Sequence, residues 1–198
     1  MKAKKDIFRC PWVDTSKDDY VEYHDKEWGV PIYDDRAMFE FLTLESAQAG
    51  LSWYTVLKKR ENYRKAFRNF EPGKIVRFDR ETIEKLLLNP GIIRNRLKIE
   101  AAINNAHRFL EVQAEYGSFS KYIWEFVAGK PRISSLRKLS DYPSTSKESD
   151  ALSKDLKKRG FKFVGSTICY AHMQATGMVN DHSLDCFRRS EIIESYGG

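Results

Sequence analysis

Leu156-Lys157-Lys158-Arg159-Gly160-Phe161-Lys162-Phe163-Val164-Gly165-Ser166-Thr167 is the stretch that decides how the chain is read. A helix runs into Gly160, a tight hairpin follows, and Ser166-Thr167 starts a second helix that closes at Gly177. Glycines at both edges of the hairpin permit positive φ and close backbone approach. The first N–H groups of the second helix have no intrahelical partner and point outward with a favourable dipole. A DNA phosphate would fit there, which is the logic of a helix-hairpin-helix that grips the duplex backbone without reading bases. Gly160, Lys162, Gly165, Ser166 and Thr167 are the candidate contacts. An ordinary αα-hairpin with a glycine C-cap fits this fragment equally well.

Working outward, the chain reads as helix almost everywhere. Asp34 or Asp35 caps a helix to Gly50, and Ser52 caps another that ends before Pro72. Asp79 opens a short helix stopped by Asn89-Pro90-Gly91. A long helix spans about Arg94 to Tyr116, with Ile99, Ala102, Ile103, Ala106 and Leu110 on one stripe. Ser118 starts the next, and Thr145 with Glu148 forms a capping box for the helix that ends at Gly160. Alternating runs are absent, so the fold class is all-α. The Ser-rich stretch from Ser140 to Ser149 reads as a connection between helices. One domain of two packed helical lobes is expected over residues 1–186, with the hairpin at about 156–177. Residues 187–198 read as a short, loosely ordered polar tail.

Composition narrows the setting. The 198 residues, 41% of them hydrophobic, suffice for a full core. Three cysteines show no disulfide framework, and no apolar run spans a bilayer or follows the basic start as a secretory signal would. A cytoplasmic protein without membrane partners is expected. The net charge of +6 gathers at Lys2–Lys5, Lys58-Lys59-Arg60, Arg94-Asn95-Arg96 and Lys157-Lys158-Arg159. Phosphate binding needs such residues on one face, and a solvated helix end explains any one cluster alone.

Two sets of residues carry chemistry. Cys10, His24, His182 and Cys186 would make a closed tetrahedral zinc site joining the N- and C-terminal segments. The spacing of four between His182 and Cys186 puts both on one face of a helical turn, while Cys10 and His24 are placed on an N-terminal loop. Neither half is a tight C-x-x-C pair, and two buried thiols with two surface histidines are the plain alternative. The second set centres on Glu45. It continues the apolar stripe of Met38, Phe41 and Leu42, where a carboxylate is costly without a partner. Trp12, Tyr20, Tyr23, Trp28 and Trp53 surround it in sequence. They are either core or, with the carboxylate, a pocket for a flat cationic ligand.

Longer stretches carry a resemblance. Tyr23-His24-Asp25, Glu27-Trp28-Gly29-Val30-Pro31, Leu44-Glu45, Gln48-Ala49-Gly50-Leu51-Ser52-Trp53 and Leu57-Lys58-Lys59-Arg60-Glu61 follow one another. Gly91-Ile92-Ile93-Arg94, Lys157 through Gly165, Ile168-Cys169-Tyr170, Met173-Gln174-Ala175 and Val179-Asn180-Asp181-His182 continue the series. Together they resemble the Tag-type DNA-3-methyladenine glycosylase I family of the helix-hairpin-helix DNA glycosylases, from about Cys10 to Cys186.

The resemblance implies a monofunctional base-excision repair glycosylase acting as a monomer on double-stranded DNA that contains alkylated bases. It would flip 3-methyladenine into an aromatic pocket and release it as the free base. The four Cys and His residues would hold one structural zinc per chain. Glu45 would recognise the base, with Tyr23 and Trp53 as walls and Tyr20, Trp12 and Trp28 as further wall candidates. Gly50 and Leu51 would probe the duplex, Leu51 filling the gap left by the flipped nucleotide. Asn180 stands where the wider superfamily has an aspartate, so no base is available there; a base alkylated at N3 is already cationic and leaves readily. The role of Asp181 is open. Two positions depart from the pattern: an extra residue between Trp12 and Tyr20, and Ala47 in place of a glutamine. A zinc-stabilised, non-catalytic DNA-binding or damage-sensing module is the alternative. A zinc hydrolase would need an open coordination position.

Overall fold

A computed structural model describes residues 7–196 of the chain. The basic cluster Lys2–Lys5 lies outside the described residues.

Side-chain caps set most helix starts. Helix α1 (Asp18–Lys26) opens with Asp18 and Asp19 in its first turn, where acidic groups suit the helix dipole. In α2 (Asp35–Gln48) the Asp34 carboxylate accepts the Ala37 N–H, and in α3 (Trp53–Leu57) Ser52 accepts that of Thr55. The helix expected to continue from Ser52 toward Pro72 is broken. After α4 (Arg60–Ala66), Arg68, Asn69 and Phe70 take φ of +52°, +53° and +54°, a left-handed turn. Next come α5 (Pro72–Ile75), with proline in its first turn, and α6 (Arg80–Leu88), capped by Asp79. The long helix α7 (Arg96–Tyr116) begins two residues later than expected because Asn95 is its cap. Ser118 caps α8 (Phe119–Trp124).

A two-residue ladder follows, β1 (Arg132–Ile133) pairing in parallel with β2 (Val179–Asn180). The all-α expectation holds apart from this bridge. The capping box of α9 (Lys147–Lys158) is formed by Ser146 and Ser149, one residue beyond the expected pair, Thr145 and Glu148. Helix α10 (Ser166–Ala175) has no side-chain cap. Helix α11 (Phe187–Tyr196) corrects the expectation of a loose tail. Ile192 is buried, and Arg189 donates to the Ser134 carbonyl at 3.1 Å.

Helix α2 runs through the middle and packs against α3, α7, α8 and α10. Its residues 38–47 are all buried, so no polar face is left to solvent over that span. The apolar residues fall into two clusters. The larger is built on Met38, Phe39, Leu42, Phe109, Phe119, Ile123 and Met173. The smaller holds Cys10, Tyr23, Trp28, Phe41, Ala175 and Cys186. Gly177 brings the end of α10 onto the N-terminal segment. It takes φ +71°, and a Cβ there would lie 2.3 Å from the backbone of Val30 and Pro31. Only glycine fits.

Candidate active site

The four candidate metal ligands meet in the smaller cluster, all of them buried. His24 is carried by α1, not by a loop. His182 and Cys186 sit in the irregular segment ahead of α11, turned by a Cys186 N–H to Ser183 carbonyl bond of 2.9 Å, so the helical turn expected there is absent. Their ligand atoms all lie within 4.8 Å of one another. Cys10 Sγ is 3.4 Å and Cys186 Sγ 3.3 Å from His182 Nδ1, and Cys186 Sγ is 3.5 Å from His24 Nε2. A tetrahedral ion bound by two thiolates and two imidazoles has sulfur–nitrogen edges of roughly 3.5 Å. The cluster therefore fits such an ion.

The outer atoms fit too. His24 Nδ1 lies 2.7 Å from Asp25 Oδ1, which Arg9 also holds, and His182 Nε2 lies 2.9 Å from the Trp28 carbonyl. Each ring thus turns one nitrogen to an acceptor and the other inward, the usual way a ligating imidazole is fixed. Without a metal, the Cys10 thiol is held far below its ordinary value, chiefly by the hydrogen bond from Cys186 and then by His182 and His24.

Beside the cluster opens a cavity of about 270 Å³, walled by Trp12, Tyr20, Tyr23, Trp28 and Trp53 with Glu45 at its lining. This is at the small end for ligand sites and suits one base. All six residues singled out in the sequence meet here. The walls and the metal cluster share side chains: Trp12 stands edge-on to Trp28 and His24, with ring centres 4.8 and 5.3 Å away, and Trp28 stands edge-on to His182 at 4.7 Å. Gln48, Tyr142 and Gln174 also line the cavity and were not anticipated. Gln48 lies three residues after Glu45 on the same helix face, a usable signal. Tyr142 belongs to the Ser-rich connection, whose composition marks it only as a loop. Ala47 does not line this cavity; it packs in the larger core cluster.

Glu45 is 3% exposed, and among the described residues no group hydrogen-bonds its carboxyl. Burial alone pushes its pKa up to about 8. It is protonated in the empty pocket at neutral pH, and a cation placed beside it would favour the carboxylate. The indole N–H groups of Trp12 and Trp53 are also buried without partners among the described residues. Such a concentration of unmet polar groups around one cavity is what a polar ligand would relieve.

The hairpin lies on α7 and α9. Asn105 receives the Lys162 N–H at 2.7 Å and donates to the Lys162 carbonyl at 2.9 Å, while Ser153 donates to the Val164 carbonyl at 2.7 Å. Gly160 takes φ +87°, as anticipated, but Gly165 has an ordinary φ of −62°, and the positive φ at this end falls on Phe163, at +53°. A Cβ at Gly165 would meet nothing within 4 Å. Neither conformation nor packing within the protein requires glycine there. Ser166 spends its hydroxyl on Asp150 and Ser149, which leaves only its N–H facing outward. Elsewhere Gly50 takes φ +79° at a turn that leaves Leu51 40% exposed, and Lys98 braces this turn through the Ala47 and Ala49 carbonyls at 2.7 and 2.6 Å. The arginines of the basic clusters are largely spent on structure: Arg60 on Glu40 and Glu27, Arg96 on Glu84, Arg159 on Glu115 and Asp155.

The sequence profile described as methyladenine glycosylase matches residues 12–189. The chain belongs to the methyladenine glycosylase family. It is 51% identical to DNA-3-methyladenine glycosylase 1 of Escherichia coli over 179 residues, 90% of this chain and 95% of that protein. With the DNA-3-methyladenine glycosylase of Haemophilus influenzae it shares 49% over 178 residues, 90% of this chain and 96% of the relative. A crystal structure of 3-methyladenine DNA glycosylase I superposes with a TM-score of 0.88 at 53% identity, covering 91% of this chain and 98% of the other. The Staphylococcus aureus enzyme, whose structure addresses 3-methyladenine recognition, superposes at 0.85 with 42% identity over 87% and 92%. Within the family fold, Asn180 has both ends of its amide engaged by backbone. Its Oδ1 receives the His182 N–H at 3.2 Å, and its Nδ2 donates to the Arg189 carbonyl at 3.3 Å.

Proposed function

We propose that the protein is a monofunctional DNA glycosylase that removes 3-methyladenine from alkylated double-stranded DNA. The observation that carries this reading is Glu45, buried without a partner against an aromatic cavity the size of one base. The flipped base enters between the aromatic rings, which offer stacking and cation–π attraction to a flat cation. Glu45 supplies the countercharge. As the C1′–N9 bond breaks, its electron pair stays on the departing base and cancels the positive charge, while water forms the new bond at C1′ and gives its proton to solvent. The base leaves as neutral 3-methyladenine. No covalent intermediate is needed. Glu45 contributes by binding the cationic base, which supports discrimination against undamaged, neutral bases.

Leu51, exposed at its braced turn, would fill the space vacated in the duplex. The uncapped N–H groups at the start of α10 would hold a backbone phosphate, with Gly165 leaving room for close approach. Cys10, His24, His182 and Cys186 would hold one zinc, closed to substrate, which fastens the segment bearing Trp12 and Trp28 to the segment before α11. The protein would act as a monomer in the cytoplasm. Incubation with dimethyl sulfate-treated duplex DNA should release free 3-methyladenine, identified by chromatography; protein that binds this DNA and releases no base would be a damage sensor instead. Metal analysis should find one zinc per chain, and chelation should lower the melting temperature. An unchanged melt after complete metal loss would rule out a structural ion.

A further inference from the structure

The polar part of the cavity includes a second group besides Glu45. Gln174, half-buried on α10, lines the cavity, and its backbone carbonyl is anchored by the Gly29 N–H at 3.0 Å. Its side-chain amide donates from Nε2 to Asp181 Oδ2 at 2.7 Å, and the Tyr170 hydroxyl donates to the same oxygen at 2.8 Å. Asp181 is fully buried, and its Oδ1 has no partner among the described residues. This carboxyl group has accepting capacity to spare, so it repels the carbonyl end of Gln174 and fixes which way the amide faces. Gln174 Oε1 is then the end left over, and among the described residues nothing donates to it.

We propose that Gln174, oriented by Asp181, is a specificity-determining acceptor that selects a 6-amino purine over a 6-oxo purine. The inference rests on the glycosylase reading above and deepens it. Adenine carries N–H donors at position 6, whereas guanine carries an acceptor there. A 3-methyladenine cation satisfies Gln174 Oε1 with an N–H. A 3-methylguanine cation sets one oxygen against another and leaves the amide oxygen unpaired once the flipped base and the duplex cover the pocket, which is how a hydrogen-bonding pocket rejects an analogue of similar shape. Gln174 would touch the base. Asp181 would not; it is a positioning residue.

The test is the ratio of 3-methyladenine to 3-methylguanine released from dimethyl sulfate-treated duplex DNA, measured for each base as initial rate against enzyme concentration. Gln174→Met keeps the length and helix preference of the side chain, removes the acceptor and leaves the residues next to the metal cluster untouched. The ratio should fall about tenfold, chiefly through slower release of 3-methyladenine, as expected for losing one hydrogen bond to the bound base. Asp181→Asn offers an N–H to Gln174 and lets the amide turn over; it should lower the ratio in the same direction, while Asp181→Glu should restore part of it. Melting temperature and metal content check that each variant is folded. A folded Gln174→Met protein with an unchanged ratio, or with both bases slowed equally, overturns the selector. A lowered ratio in Gln174→Met with an unchanged ratio in folded Asp181→Asn overturns the positioning role alone. Wild-type protein that releases no 3-methyladenine overturns the glycosylase reading itself, which separates the two failures.

Discussion

Glu40 and Glu45 lie five residues apart on the same helix, both buried, and they have opposite surroundings. Glu40 is met by Arg60, and by Arg64 at 2.7 Å, with Glu27 closing the network from the far side of Arg60 at 2.6 Å. The guanidinium of Arg60 also sits 5.0 Å from the centre of the Phe41 ring. Glu45 has aromatic rings around it and no cation. A buried carboxylate that serves the fold carries its cationic partner in the same chain, whereas a carboxyl without one stays neutral until a cationic ligand arrives. The contrast separates architecture from function without reference to any relative.

The largest effect should come from Glu40→Ala. It leaves Arg60 buried beside Glu27 alone and should destabilise the fold by about 3 kcal/mol, read by urea unfolding. The folded fraction should still bind 3-methyladenine normally. Weakened base binding by correctly folded Glu40→Ala would erase the distinction.

Glu45→Gln should do the reverse. Stability should be unchanged or higher, because a costly buried carboxyl is replaced by a neutral amide. Release of 3-methyladenine from alkylated duplex, where the base is still cationic, should slow about tenfold or more, roughly the worth of one charge-assisted hydrogen bond. Initial rates on dimethyl sulfate-treated DNA read it, and equal rates in the variant would remove Glu45 from recognition.

The pH dependence sharpens the same point. The folded protein holds the Glu45 proton up to about pH 8, while the unfolded chain loses it near the ordinary value of 4.5. Because the folded state binds the extra proton within that window, wild-type stability should decline as pH rises from 4.5 to 8, by at most about 1.4 kcal/mol per pH unit. Above 8 the penalty is constant. Comparing unfolding curves of wild type and Glu45→Gln from pH 5 to 9 isolates this contribution; parallel curves would mean that the carboxyl is already paired.

Backbone donors repeat the pattern on a smaller scale. The start of α2 is closed by Asp34, that of α10 by no side chain. Gly165→Leu should therefore melt like wild type and bind duplexes of any sequence several-fold more weakly, because it blocks a phosphate and not a base. Loss confined to particular sequences would contradict backbone gripping.

Much of this was readable beforehand, for physical reasons. Asp34, Ser52, Asp79 and Ser118 cap helices as read, because short polar side chains compete for the free N–H groups within one turn. The slip from Ser146 to Thr145 shows the limit: two adjacent hydroxyl residues can both cap, and packing chooses. The β1–β2 bridge is too short to leave an alternating pattern. Helix α1 was missed because its residues Asp18 to Lys26 are mostly polar, and only Tyr23 and His24 are fully buried. Glu45 was legible because a carboxylate on an apolar stripe contradicts its surroundings. Glu40 has the same chemistry and passed unnoticed, since its partners Arg60 and Arg64 lie beyond a turn whose geometry no spacing rule supplies. Gln174 stands in the stretch Met173-Gln174-Ala175, but its use depends on Asp181, and that contact exists only once α10 and β2 have docked.

The span of the Cys and His cluster has a consequence for the order of events during folding. Cys10 and His182 are separated by 172 positions. No local segment can assemble even a pair from each end until α2, α7, α9 and α10 have packed in between, since closing so long a loop costs entropy that only the finished core offsets. Capture of an ion by these four residues would therefore be a late event that reports completion. The aromatic walls at Trp12 and Trp28 pack against His24 and His182, so they would be completed at that same moment, after the hairpin between α9 and α10 has formed.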